Sequence, residues 1–164
     1  MSKPLQVHVE KCTECRSCEL KCSFVHYGVF NSYKSGVRIV SHWPDLPTAR
    51  VCRQCEDPSC LPACPVEALV RTANGAVRVL YDVCTGCAAC VDACPYDGVW
   101  LDPLSGLAAK CDTCEGRYEC IPGCFTGALS ESHPAHPANP AGRSPAKNAG
   151  CSSDSGNAGS STED

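Results

Sequence analysis

Apolar positions along this chain come in short runs, and each predicts a short strand: Leu5 to Val9, Val37 to Val40, Ala68 to Arg71, Val77 to Leu80, Val99 to Asp102 and Leu107 to Lys110. Asn74-Gly75, between two such runs, is a hairpin turn signal, and Pro103 to Gly106 is a second. Asn31 to Pro47, with Trp43-Pro44, reads as an insertion. No apolar run approaches the length of a membrane span.

The apolar supply is thin. Leu, Ile, Val and Phe number 29 of 164 residues, all before Ser130, a share that in an ordinary chain warns of disorder. Residues 130–164, rich in Pro, Gly, Ser and Asn, cannot bury enough to offset their ordering entropy and read as a disordered C-terminal tail. The body before it needs a source of stability other than a large core, which bound metal can provide.

The cysteines supply that source. Sixteen of the seventeen fall into four groups of four: Cys12, Cys15, Cys18, Cys22; Cys52, Cys55, Cys60, Cys64; Cys84, Cys87, Cys90, Cys94; and Cys111, Cys114, Cys120, Cys124. The first and third read C-x2-C-x2-C-x3-C, and Pro95 follows the third, as in bacterial ferredoxins that hold cubane iron–sulfur clusters. A cubane needs a thiolate at each of four irons. Three closely spaced cysteines can wrap three corners, and the fourth comes from elsewhere. The second and fourth groups lengthen one gap without losing a ligand. After the last cysteines come CSFVHYGVF, CPVEALV, CPYDGVW and CFTGALS, four copies of one unit.

Structural zinc and a disulfide scaffold are the alternatives. Zinc calls for two knuckles rather than three cysteines in a row plus a fourth, and disulfides give no reason to repeat one spacing four times. The groups therefore imply four [4Fe–4S] clusters, and Cys151 stands outside them as a free thiol. The formal charge of −4 speaks against nucleic-acid binding. There is no G-x-G-x-x-G, P-loop or nucleophile elbow, and each group is complete, so catalysis is expected on a partner. The stretch MSKPLQVHVEKC has no signal-peptide pattern, which suggests a cytoplasmic protein unless a signal-bearing partner carries it out.

CRSCELKCSFVHYGVFNSYKSGVRIV, CRQCEDPSCLPACPVEAL, CTGCAACVDACPYDGV and KCDTCEGRYECIPGCFTGAL resemble the four-cluster ferredoxin-type electron-transfer subunits of molybdenum and tungsten oxidoreductases. That family includes iron–sulfur subunits of dimethyl sulfoxide reductases and formate dehydrogenases, and relatives serving hydrogenases and carbon monoxide dehydrogenases. The CSFVHYGVFN segment is most similar to small subunits accompanying tungsten aldehyde:ferredoxin oxidoreductases. The resemblance implies an α+β, metal-stabilised fold of two ferredoxin-like dicluster modules, the second inserted within the first. Residues 1–48 and 105–129 would form the outer module and 49–104 the inner one.

Each pair of groups would trade its last cysteine. The implied ligand sets are Cys12, Cys15, Cys18 with Cys124; Cys111, Cys114, Cys120 with Cys22; Cys52, Cys55, Cys60 with Cys94; and Cys84, Cys87, Cys90 with Cys64. The implied partners are a large catalytic subunit with a tungsten or molybdenum cofactor and a flavin or ferredoxin that exchanges electrons. Copies of the chain could also stack end to end, and the alternative function is a standalone soluble polyferredoxin or an electron-transfer subunit of a formate dehydrogenase, hydrogenase or carbon monoxide dehydrogenase.

Departures from the ferredoxin pattern are Ser23 and Phe125, where prolines are expected. Lys11, Arg16, Lys21, Arg53 and Lys110 adjoin ligand cysteines; each reads as a solvated surface charge that could also tune a potential. His26 is not needed as a ligand and reads as a packing or interface residue, and Trp43 as filling the insertion or a subunit contact. Exhaustive iron chelation is expected to leave the chain largely unfolded; a circular dichroism spectrum that stays native-like would contradict this.

Overall fold

A computed structural model describes residues 3–131. They form a small mixed fold with the order β1 (Leu5–Val7), α1 (Ser17–Tyr27), β2 (Val37–His42), β3 (Asp45–Val51), β4 (Leu69–Arg71), β5 (Val77–Val79), α2 (Ala89–Asp92), β6 (Val99–Leu101), β7 (Ala108–Lys110) and β8 (Leu129–Glu131). The strands make four two-stranded antiparallel sheets, β1–β8, β2–β3, β4–β5 and β6–β7. Ribbons of two short strands are marginal by themselves, so each depends on what it packs against.

The six predicted strands are all present with shifted ends: Val9 lies in a 3-10 turn, Ala68, Leu80, Asp102 and Leu107 fall just outside, and β2 runs past Val40 to His42. Both turn signals hold. Gly75 (φ 86°) donates to the Thr72 carbonyl at 2.8 Å, and Gly106 (φ 71°) to the Asp102 carbonyl at 2.7 Å, positive φ angles that glycine adopts without a Cβ penalty.

Three expectations change. Asn31 to Pro47 is not an insertion between units, because β2 and the unforeseen β3 occupy most of it as the first unit's own hairpin. Trp43 does not fill that segment; it stands at the hairpin's tip, 89% exposed, which leaves the subunit-contact half of its reading in place. Ser130 and Glu131 belong to β8, where Leu5 pairs with Glu131, so the tail begins later than the composition suggested. Its remainder, with Cys151, lies outside the described residues.

Ser23 replaces the expected proline for a local reason. It sits inside α1, fully buried, donating to the Leu20 carbonyl and accepting from the Asn31 N–H, both at 3.0 Å. A proline there would interrupt the helix. Phe125, by contrast, is exposed. Glu19, buried on α1, accepts from the Ile39 N–H at 2.7 Å and fastens the helix to β2.

Two apolar clusters form. One joins Leu5, Val7, Val37, Ile39, Tyr118 and Leu129 with Cys18, Cys22 and Cys120. The other joins Leu69, Val77, Val79, Val99 and Ala108 with Cys60 and Cys90. The cysteines are thus part of the core itself. The hairpins β2–β3 and β6–β7 span the anticipated module boundaries at 48/49 and 104/105.

Two glycines let the backbones meet. A Cβ on Gly36 would stand 2.8 Å from the Lys110 carbonyl oxygen and 2.9 Å from Cys111 Cα; on Gly98 it would stand 2.9 Å from Cys52 Cα and 3.1 Å from the Val51 carbonyl oxygen. Both neighbours are backbone and cannot step aside. Gly36→Ala and Gly98→Ala are each expected to destabilise the folded chain by about 1–3 kcal/mol, lowering the thermal midpoint. Gly123→Ala, where a Cβ would lie 3.5 Å from the Cys120 carbonyl oxygen, should be tolerated; equal midpoints for all three would contradict the close-approach argument.

Candidate metal centres

Each cysteine group is bent by the same backbone device. The residue directly before the second cysteine has a positive φ in all four: Glu14 (56°), Gln54 (47°), Gly86 (70°) and Thr113 (62°). The conformation costs the three non-glycine residues about 1–2 kcal/mol each. Such turns direct successive N–H groups towards one concave side, where anionic sulfur is welcome. Gln54 and Thr113 donate their N–H to the sulfurs of Cys52 and Cys111, each at 3.4 Å.

The return from each group repeats as well. Glu67, Asp97 and Gly127, three residues after the last cysteine, have φ of 51°, 51° and 65°. The next N–H then folds back to sulfur, Ala68 to Cys64 at 3.2 Å and Gly98 to Cys94 at 3.4 Å, with Ala128 bonding Cys124 in the same way. In the first unit α1 and a 3-10 turn separate the two points, so Gly36 reaches Cys22 at 3.2 Å from fourteen residues away. Val37, Leu69, Val99 and Leu129 follow these donors and are all buried.

The folded chain draws cysteines together across groups. Cys52, Cys55, Cys60 and Cys94 line a cavity of about 400 Å³ and, among the described residues, are the only cysteines that do. Cys64, Cys84, Cys87 and Cys90 surround a second, narrower space. Cys22, Cys111, Cys114 and Cys120 surround a third. For the remaining four, Cys18 lies in the electrostatic field of Cys12 and Cys15, and Cys15 in that of Cys124. Cys12 and Cys124 also pack on the apolar cluster that contains Cys18.

Four soft thiolates around one space, with N–H donors aimed at the sulfurs, suit an iron–sulfur cluster. No carboxylate is needed to complete such a set. Among the described residues the sixteen grouped cysteines are all free of disulfides.

Burial makes these thiols reluctant to ionise. It pushes Cys18 up to about 12, with Glu19 adding to the effect, Cys120 up to about 12 with help from Cys22 and Cys114, and Cys90 up to about 11 with help from Cys84 and Cys64. Burial also drives Cys111 well upward. Cys15 goes the other way because the Ser17 hydroxyl and N–H stabilise its thiolate.

Two residues near the cysteines differ from their sequence reading. Lys110 is buried rather than a solvated charge, with 6% exposure, and its ammonium donates to the Val77 carbonyl at 2.7 Å. Its place beside Cys111 gave no hint of this, since a lysine on a three-residue strand is ordinarily exposed. His26 touches the metal-binding region: its Nε2 is 3.5 Å from Cys114 Sγ and 3.5 Å from Asp112 Oδ1. The sulfurs of Cys114 and Cys22 raise its pKa to about 10. The spacing from Cys22 to His26, one helical turn on α1, was the available signal. Lys11, Arg16 and Lys21 are exposed as expected, while Arg53 is half-buried and stacks over the Tyr96 ring at 4.2 Å.

A 4Fe–4S dicluster domain matches residues 45–133, over half of the chain, and a 4Fe–4S binding domain matches residues 9–28. The chain belongs to the 4Fe–4S dicluster domain family. The chain accordingly binds [4Fe–4S] clusters.

Among related dicluster proteins, the polyferredoxin-like subunit of aliphatic sulfonate oxidoreductase from Pyrococcus furiosus is 38% identical over 81 residues, covering 49% of this chain and 47% of its own. A tetrathionate reductase subunit from Archaeoglobus fulgidus is 36% identical over 86 residues, covering 51% and 41%. A selenate reductase subunit from Mesobacillus selenatarsenatis is 34% identical over 88 residues, covering 49% and 30%. The chain spans about half the length of the curated relatives it matches, or less. A solved active site complex BamBC of benzoyl coenzyme A reductase with 1,5-dienoyl-CoA aligns at 28% identity and a TM-score of 0.46, covering 87% of this chain and 83% of that one. Among the described residues no helix is long and apolar enough to cross a membrane.

The raised thiol pKa values have a pH consequence. The thiolate is the ligand, so in the folded chain iron displaces protons from Cys18, Cys90 and Cys120. Acidifying the iron-loaded chain from about pH 8.5 to about pH 6.5 is therefore expected to speed iron loss, as protons compete for the buried sulfurs, read as iron bound per chain. A flat profile would contradict the burial argument.

Proposed function

We propose that this chain is an electron-transfer subunit holding four [4Fe–4S] clusters, each on three cysteines of one group and the last cysteine of another. The observation that carries the proposal is that three separate spaces are each lined by one complete mixed set and by no further cysteine. The proposed sets are Cys52, Cys55, Cys60, Cys94; Cys84, Cys87, Cys90, Cys64; Cys111, Cys114, Cys120, Cys22; and Cys12, Cys15, Cys18, Cys124. Two apolar clusters, one fed by both ends of the chain and one by its middle, support an inner dicluster module nested in an outer one.

Cubane clusters supply one-electron storage and transfer. The residues of this chain hold the sulfurs, exclude water from them and aim N–H dipoles at them. Reduction adds negative charge, and those N–H groups are oriented before it arrives, so little reorganisation is required. Catalysis falls to a partner chain, in keeping with relatives named as subunits of oxidoreductases.

We assign the partner as a large catalytic subunit with a tungsten or molybdenum cofactor, in first place an aldehyde oxidoreductase, with a flavin or ferredoxin as the exchange partner. The CSFVHYGVFN segment supports this. It presents exposed Phe24 and Phe30, stacked at 4.7 Å, with Tyr27 and Val29 also exposed, a surface suited to a protein contact.

Anaerobic purification from the native host, with metal analysis, tests the assignment. About sixteen irons per chain, a stoichiometric large subunit and tungsten or molybdenum are expected. Sixteen irons without a partner would point to a standalone polyferredoxin, and zinc in place of iron would overturn the proposal.

A further inference from the structure

Lys110 is the only lysine or arginine fully buried among the described residues, and a buried ammonium is unfavourable unless an anion faces it. Among those residues no carboxylate forms an ion pair with it. Its Nζ is instead fixed to the Val77 carbonyl at 2.7 Å. The Val77 N–H donates to Gln54 Oε1 at 2.9 Å, and Gln54 Nε2 donates to the Cys111 carbonyl at 2.6 Å. This ring of bonds ties Lys110 to the loop between Cys52 and Cys55. Lys110 lines the cavity formed by Cys52, Cys55, Cys60 and Cys94.

The missing counter-charge is therefore the four-thiolate centre itself. We propose that Lys110 is a permanently buried cation that sets the Cys52/Cys55/Cys60/Cys94 centre as the most easily reduced of the chain's [4Fe–4S] centres. The inference rests on the ligand sets proposed above.

The surroundings favour this centre over the rest, since the space around Cys64, Cys84, Cys87 and Cys90 has no lysine, arginine or carboxylate in its lining among the described residues. Lys110 lies in the electrostatic field of both Cys55 and Cys60. Arg53, stacked on Tyr96, lines the same cavity. Glu56 and Asp57 share its rim but are exposed, so water screens them more than it screens Lys110. At Cys18 the nearest buried ionisable group is Glu19, of opposite sign. His26 serves the Cys22/Cys111/Cys114/Cys120 set, but its side chain is 29% exposed and has Asp112 at 3.5 Å, so its charge is partly cancelled.

A buried positive charge stabilises the reduced, more anionic state, and the interaction weakens little with salt. Lys110→Met keeps the volume and removes the charge, while Lys110→Arg keeps the charge. In a potentiometric titration of the full iron-loaded chain, followed by electron paramagnetic resonance, K110M is expected to lower one midpoint by at least about tenfold in the equilibrium constant, 59 mV for one electron. K110R should retain it, and iron content should be unchanged. Intact iron with every midpoint in place would overturn the inference.

A second measurement leaves Lys110 untouched. Cys55→Ser is expected to abolish or alter the signal that reduces at the highest potential. If it alters a lower-potential signal and spares the highest one, the inference falls, and this arm decides should K110M shed iron. A chain that never binds iron would instead overturn the proposed function.

Discussion

The fourth thiolate is the constraint on which this structure depends. A loop of three closely spaced cysteines covers three corners of a cubane and has no chain left for the last corner, so a distant segment must bring it. The chain meets this by folding back. In three of the groups the segment after the last cysteine leaves through a left-handed residue and a returning N–H, then enters a strand through a buried apolar residue, and in the first Gly36 supplies the returning N–H after α1. In the proposed sets the strand that follows one group therefore lies against the start of another. Gly36 against Lys110–Cys111 and Gly98 against Val51–Cys52 are where that approach is closest. The pairing of β1 with β8 then joins the first and last strands of the described residues.

A fold built this way exchanges apolar bulk for metal bonds. The sheets have only two strands, several strands have three residues, and cysteines supply part of each apolar cluster. Strained positions such as Glu14, Gln54 and Thr113 persist because the sulfur geometry needs the turn. The thiols that burial holds protonated become thiolates when iron takes the proton's place. In the proposed function, stability and electron transfer draw on one set of bonds.

Much of this was legible in the sequence, and the gaps have physical reasons. Cysteine spacing carries local information because consecutive ligands share one loop, and Asn74-Gly75 and Pro103 to Gly106 carry their turns in their own side chains. β3 was missed because LPTARV mixes a proline with polar residues, and its strand state comes from pairing with β2 rather than from its own pattern. The role of Gly36 was hidden because α1 separates it from Cys22, so its equivalence to Ala68, Gly98 and Ala128 exists only in three dimensions. Lys110 was misjudged for a related reason: its burial is set by Gly36, Val77 and Gln54, contributed by three other parts of the chain.

The exchange of last cysteines can be tested by asking which cluster each one perturbs. The most direct measurement is electron paramagnetic resonance of the reduced, iron-loaded Cys94→Ser variant beside Cys60→Ser and Cys90→Ser. Cys94→Ser is expected to change the same signal as Cys60→Ser and leave the Cys90→Ser signal intact. If it instead changes the signal altered by Cys90→Ser, its neighbour in sequence, the clusters are held within single groups and the proposed ligand sets are wrong.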